Sequence, residues 1–204
     1  MNSRRICLFG GSFNPPHVCH VLASTWALAA LPIDELWWVP TWQHAFGKQL
    51  ESFEHRFELV RRAIEPFGNR MQVTDVEAEL GGESRTIRTV RELSRQHPHH
   101  RFSLLVGEDL VDQMPRWQQW GELSQLVDVF VIGRWGTRSP GIDSGFALPS
   151  LSSTAIRDAI RRADHAWLAT RVPAAVLDYI HAEQLYRDLE PEAPPVFDVP
   201  FPVQ

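Results

Sequence analysis

The sequence predicts an α/β protein: a doubly wound parallel sheet followed by a small C-terminal helical region. Three observations carry that expectation. Five short apolar runs, mostly without alternation, read as strands buried on both faces. Segments with helical spacing lie between them. A Gly-Gly pair follows the first run, where such folds turn from strand to helix and bind ligands.

The strands are expected at 6–9, 36–39, 71–76, 102–106 and 127–132, and the helices between them at 18–30, 53–64, 86–96 and 117–126. Strand and helix alternate, which implies right-handed crossovers, helices on both faces and ligands beyond the carboxyl ends of the strands. A Gly-, Pro- and Ser-rich stretch at 133–150 then leads to helical segments at 153–162 and 173–184. One domain is expected over 1–186, helical from about 151. Residues 187–204 form a Pro-rich tail, where Val196, Phe197, Val199 and Phe201 could pack on this or a neighbouring subunit. Monomer and homodimer both stay open.

With 204 residues the chain can bury a sizeable core. Its 20 Lys and Arg stand against 25 Asp and Glu, which disfavours a nucleic-acid footprint, so an anionic ligand must be met locally. Cys7 and Cys19 cannot form a disulfide framework in a chain this long, which fits a reducing cytoplasm. No apolar run approaches 18 residues and the N-terminal run is too short for a signal-peptide core, so neither membrane spanning nor export is expected.

The first turn reads Phe9-Gly10-Gly11-Ser12-Phe13-Asn14-Pro15-Pro16-His17-Val18-Cys19-His20. It matches neither GxGxxG nor GxxxxGK[ST]. Gly10 and Gly11 let backbone approach a ligand, and Pro15 and Pro16 stiffen the entry to a helix. His17 and His20, three apart, share one face of its first turn, placed to donate to phosphate oxygens, the more so if a bound anion raises their protonation. Capping or packing is the plainer role for either histidine alone. A structural zinc site wants four ligands, and no second pair lies at matching spacing, so no metal site is expected. The tract 97–100, His-Pro-His-His, reads as a solvated turn.

A second element is Leu151-Ser152-Ser153-Thr154-Ala155-Ile156-Arg157. Its hydroxyls read first as an N-cap, but three exceed what one cap requires. With Arg157 one turn in, they can form a second anion pocket. Two such pockets suit a triphosphate.

Together these segments resemble the nucleotidyltransferase superfamily of class I aminoacyl-tRNA synthetase-like, Rossmann-like fold, whose signatures are HxGH and SSTxIR. The chain is most similar to bacterial nicotinate-nucleotide (nicotinamide-nucleotide) adenylyltransferases over 5–186, with supporting segments at 39–41, 84–89, 106–109 and 114–117 in family order. It departs from the family at Cys19, where the signature has Gly; at Arg88, where an acidic residue is usual; and over 42–48. The resemblance implies AMP transfer from ATP to nicotinate or nicotinamide mononucleotide, giving the dinucleotide and pyrophosphate, with Mg²⁺ carried on ATP and pyrophosphate. It implies His17, His20 and Arg157 as catalytic phosphate contacts. Gly10, Gly11, Ser12 and Phe13 correspond to the ATP platform, Ser153 and Thr154 to the β- and γ-phosphate clamp, and Gly107 and Asp109 to the ribose contacts. Asn14, Lys48, Thr86 and Trp117 fall on the mononucleotide side, with Thr86 at the pyridine carboxylate and Trp117 stacked on the ring. Arg85 or Arg88 could favour the acid over the amide. Two rival readings are a pantetheine-phosphate adenylyltransferase and an idle nucleotide-binding scaffold.

Overall fold

The computed structural model describes residues 3–43, 50–134 and 147–187. Six strands, β1 (Arg5–Gly11), β2 (Glu35–Pro40), β3 (Met71–Val73), β4 (Arg101–Gly107), β5 (Asp128–Arg134) and β6 (Ala147–Leu148), form one sheet in the order β3-β2-β1-β4-β5-β6, with every pairing parallel. The helices are α1 (Val18–Ala30), α2 (Phe53–Ile64), α3 (Val76–Leu80), α4 (Thr86–Gln96), α5 (Trp120–Leu126), α6 (Ser153–Arg161), α7 (His165–Ala169) and α8 (Ala174–Ala182).

The strands lack alternation because both faces are covered. Cys7, Phe9, Leu36 and Trp38 point into one core with Ala23 and Ala27 of α1, Leu59 and Val60 of α2, and the helices after 151. Ile6, Leu8, Trp37 and Val39 point the other way, into a second core with Ile87, Val90 and Leu93 of α4 and Leu123 of α5. Successive side chains take opposite faces, as the two-residue period requires. In register, Gly11 lies beside Pro40, and Gly107 beside Ile132, so the carboxyl ends of the central strands open at one edge. Burial pushes the Cys7 thiol up to about 12, and Cys7 and Cys19 are not joined in a disulfide. Among the described residues no helix is long and apolar enough to cross a membrane.

Several boundaries differ from the sequence expectation. The third run is strand only to Val73. Thr74 Oγ1 then accepts the Val76 N–H at 3.3 Å and the chain turns into α3, because Thr and Asp compete locally with the ladder. The helix expected from 117 begins at Trp120. A 3₁₀ segment, Glu108–Arg116, ends with the Trp117 N–H on the Met114 carbonyl, and Gln119 at φ +54 breaks the path into α5. β5 runs two residues further than expected, and the last helix is Ala174–Ala182, stopped short of Gln184, which has φ +54. The 3₁₀ segment Glu65–Arg70, α3, α7 and β6 had no counterpart in the periodicity; each is shorter than the window needed to see a period. Lys48 and residues 188–204, including Val196, Phe197, Val199 and Phe201, lie outside the described residues, as do 135–146 of the Gly-, Pro- and Ser-rich stretch.

Candidate active site

At the carboxyl end of β1 the two glycines do different things. A Cβ on Gly11 would stand 3.1 Å from the ring of Phe13, which folds back over it, so this close approach needs glycine. A Cβ on Gly10 would meet nothing within 4 Å, leaving the backbone open on that side. Phe13 adopts φ +46 and packs tilted on Trp38, with 4.7 Å between ring centroids. The turn is thus held by an aromatic cluster of Phe9, Phe13, Trp38 and His20.

His17 is the N-cap residue of α1. Its backbone N–H donates to His20 Nδ1 at 3.1 Å, and the two rings stack with centroids 3.8 Å apart. A backbone N–H can only donate, so Nδ1 of His20 is the acceptor and the ring carries its proton on Nε2. In this arrangement a second proton on His20 would cost the bond that orients the ring. His20 thus keeps Nε2 available to donate at the N-terminus of α1.

Asn14 is 1% exposed. Its Oδ1 accepts the Glu51 N–H at 3.1 Å, which fixes the amide orientation, and Nδ2 finds no partner among the described residues. A buried donor in that state costs about 1–3 kcal/mol unless a ligand oxygen meets it.

α6 reaches this turn from the other end of the chain. Arg157, 3% exposed, donates from Nη1 to the Asn14 carbonyl at 2.8 Å and from Nη2 to Thr154 Oγ1 at 3.2 Å. Ser152 Oγ accepts the Ala155 N–H at 3.2 Å and is the cap. Ser153 Oγ donates to the Pro15 carbonyl at 2.9 Å. Each of the three hydroxyls has a partner within the protein, and two of them bind the segments to one another or to Arg157. Cys19 Sγ, in the position where the signature has Gly, donates to the Pro149 carbonyl at 3.6 Å and adds a third link. The α1 end is further held by the Val18 N–H on the Arg171 carbonyl at 2.9 Å.

Sequence reasoning missed Arg56. It is 1% exposed and donates to the Glu51 carbonyl at 2.9 Å, the Ser12 carbonyl at 3.0 Å and the Trp42 carbonyl at 3.5 Å, tying the loop after β1 to the loop after β2. The signal was present. Arg56 stands three, four and seven residues before Leu59, Val60 and Ala63, so it lies on the buried stripe of α2, where a lone guanidinium must have partners.

The remaining site residues lie along the same edge, toward α4. Gly107 ends β4, and a Cβ there would collide with the carboxylate of the exposed Asp109. Thr86 is the first residue of α4 and half-buried. Trp117 is half-buried, edge-on to Trp120 at 6.1 Å. The Trp42 N–H donates to Ser84 Oγ at 3.0 Å and to Glu77 Oε2 at 3.1 Å, so the segment leaving β2 is docked beside Thr86. Arg88 does not reach outward. It donates to the carbonyls of Leu80, Gly81 and Glu83 at 3.0–3.1 Å, closing the C-terminus of α3, which is what an Arg in that place accomplishes. Arg85 pairs with Glu83 at 2.5 Å. Among the described residues no three His, Cys, Asp or Glu side chains stand close enough to hold a metal ion.

This geometry has relatives. Residues 8–159 match the model of the cytidylyltransferase-like family. A protein of Anaeromyxobacter dehalogenans named "Probable nicotinate-nucleotide adenylyltransferase" is 40% identical over 187 residues, covering 90% of this chain and 97% of the relative. One of Myxococcus xanthus with the same name is 36% identical over 182 residues, covering 89% and 94%. Among solved structures, the nicotinic acid mononucleotide adenylyltransferase of Plasmodium falciparum, complexed with NaAD, superposes with a TM-score of 0.76 at 21% identity, over 90% of this chain and 97% of that one. At that identity the likeness speaks for the fold alone.

Proposed function

Because this chain belongs to the cytidylyltransferase-like family and, within it, to the nicotinate-nucleotide adenylyltransferases, we propose that it transfers AMP from ATP to nicotinate mononucleotide, and that the turn after β1 and the start of α6 together carry out that step. The observation that supports the assignment is the 2.8 Å bond from Arg157 to the Asn14 carbonyl, which makes one site of two sequence segments 143 residues apart.

The acceptor's phosphate oxygen attacks the α-phosphorus of ATP, the bond from that phosphorus to the bridging oxygen breaks, and pyrophosphate leaves with the electron pair. No enzyme nucleophile takes part, since the attacking group is already an anion. The protein's task is positioning and charge neutralisation. His20 Nε2–H, the amides at the start of α1 and the buried Asn14 Nδ2 are donors whose geometry is set before substrate arrives. Arg157 and Thr154 offer a second set to the leaving phosphates, and Gly10 the open backbone along which the triphosphate lies. Gly107 and Asp109 contact the ribose; Thr86 and Trp117 receive the pyridine end of the acceptor. Mg²⁺ would come with ATP rather than be held by a cage of protein ligands, and would supply charge neutralisation on the phosphates. The reaction belongs in the cytoplasm, with the chain acting as monomer or homodimer.

Pyrophosphate release from ATP, followed with nicotinate mononucleotide, nicotinamide mononucleotide and phosphopantetheine in turn, tests the reading. Turnover is expected with the pyridine nucleotides, and fastest with the acid. Turnover with phosphopantetheine alone, or ATP binding without release for any acceptor, would overturn it.

A further inference from the structure

A cavity of about 360 Å³ opens between the segment before α4 and the end of the 3₁₀ segment, lined by Glu83, Arg85, Arg88, Arg116 and Gln118. Thr86 and Trp117 are not among these lining residues, but Thr86 stands between Arg85 and Arg88 in the chain and Trp117 between Arg116 and Gln118, so the cavity adjoins both segments. Three guanidinium groups face one carboxylate, so the cavity is cationic although the whole chain carries a net charge of −5. The three arginines are not equivalent. Arg88 spends its donors on the carbonyls of Leu80, Gly81 and Glu83, and Arg85 is matched by Glu83. Arg116 is exposed and has no hydrogen bond or ion pair among the described residues. Directly after it, the Trp117 N–H is fastened to the Met114 carbonyl at 2.9 Å, so the backbone that carries Arg116 is fixed while its side chain is uncommitted.

We propose that Arg116 sets the preference of this chain for an acceptor bearing a pyridine carboxylate over one bearing the neutral amide. The proposal rests on the adenylyltransferase reading and deepens it. Acid and amide are nearly the same shape, so a pocket built on fit alone separates them poorly, and charge is the property that differs. A guanidinium held at the cavity wall lowers the free energy of a carboxylate at any position within its reach, while a neutral amide gains only a hydrogen bond. Arg88 contributes field without contact, because its forks are already occupied.

The experiment measures kcat/KM for nicotinate and nicotinamide mononucleotides with the full chain and with Arg116→Lys, Arg116→Gln and Arg116→Glu, together with KM for ATP. The acid-to-amide ratio is expected to persist largely in Arg116→Lys, to fall about tenfold in Arg116→Gln and to fall further in Arg116→Glu, with KM for ATP and the amide rate within about twofold of the unaltered chain. An unchanged ratio in Arg116→Gln and Arg116→Glu would overturn the proposal. So would an equal loss with both acceptors, which would make Arg116 a contact for a part they share. A wild-type chain that transfers AMP to neither acceptor would instead refute the underlying reading, and the inference with it.

Discussion

The two ends of the site are built by opposite means. At the proposed phosphate end, Asn14, His17 and Arg157 are buried, and carbonyls, hydroxyls and rings fix one another at 2.8–3.2 Å across segments distant in sequence. At the acceptor end, Thr86 and Trp117 are half-buried, Asp109 and Arg116 are exposed, and a cationic cavity stands open. With the roles proposed above, the chemistry lies in a cross-braced interior, while acceptor choice is left to side chains that can be exchanged at little cost to the fold. Changes at the first end should therefore act on kcat and stability, and changes at the second on KM and selectivity.

The largest effect should come from Arg157→Ala, which removes a phosphate donor and leaves the buried Asn14 carbonyl without its partner. Turnover is expected to fall at least about 10³-fold, and stability by about 1–3 kcal/mol, read by pyrophosphate release and by urea unfolding. His20→Ala should follow, costing about 10²–10³ in kcat with both substrates saturating. Near-normal turnover there would remove His20 from the mechanism and erase half of the contrast. Trp117→Ala should act on the other axis, raising KM for the mononucleotide about tenfold with kcat and KM for ATP little changed, as expected for loss of an aromatic face under a pyridinium. If kcat fell instead, the division of labour between the two ends would fail.

The smallest effect serves as a control away from both ends. The Arg61 guanidinium, with Arg62 adding to it, holds the Glu58 carboxyl on α2 below its ordinary value against the opposing pull of burial. A carboxyl lowered in the folded state contributes stability above the unfolded value and loses it as pH falls through the folded one. Glu58→Gln should flatten that acid limb by less than about 1 kcal/mol in unfolding titrations between pH 3 and 7, with kcat and both KM values unchanged.

How much of this was legible in the chain differs between the same two regions. Strands β1, β2, β4 and β5, the start of β3, and α1, α2 and α4 followed from apolar runs and helical spacing, because two covered faces force those patterns, and residues 9–20 with 151–157 suggested an anion site through glycines, paired histidines and hydroxyls beside an arginine. Besides Arg56, three things escaped. The allocation of Ser152, Ser153 and Thr154 depends on which carbonyls lie opposite, and those belong to residues 138 positions away or more in the case of Ser153 and Arg157. His20 as an acceptor at Nδ1 depends on the N-cap geometry of His17, not on spacing alone. Arg88 beside Thr86 looked like a substrate contact, since nothing in the sequence says that three carbonyls at the end of α3 will claim it.

The bond between Arg157 and the Asn14 carbonyl also dates the birth of the site. A ribosome has made the whole of β1 to β5 before residue 157 exists, so the nascent chain carries most of its sheet while the nucleotide cradle is still half absent. Translation-arrested fragments ending before α6 should accordingly retain no ATP, which makes competence a late event of synthesis.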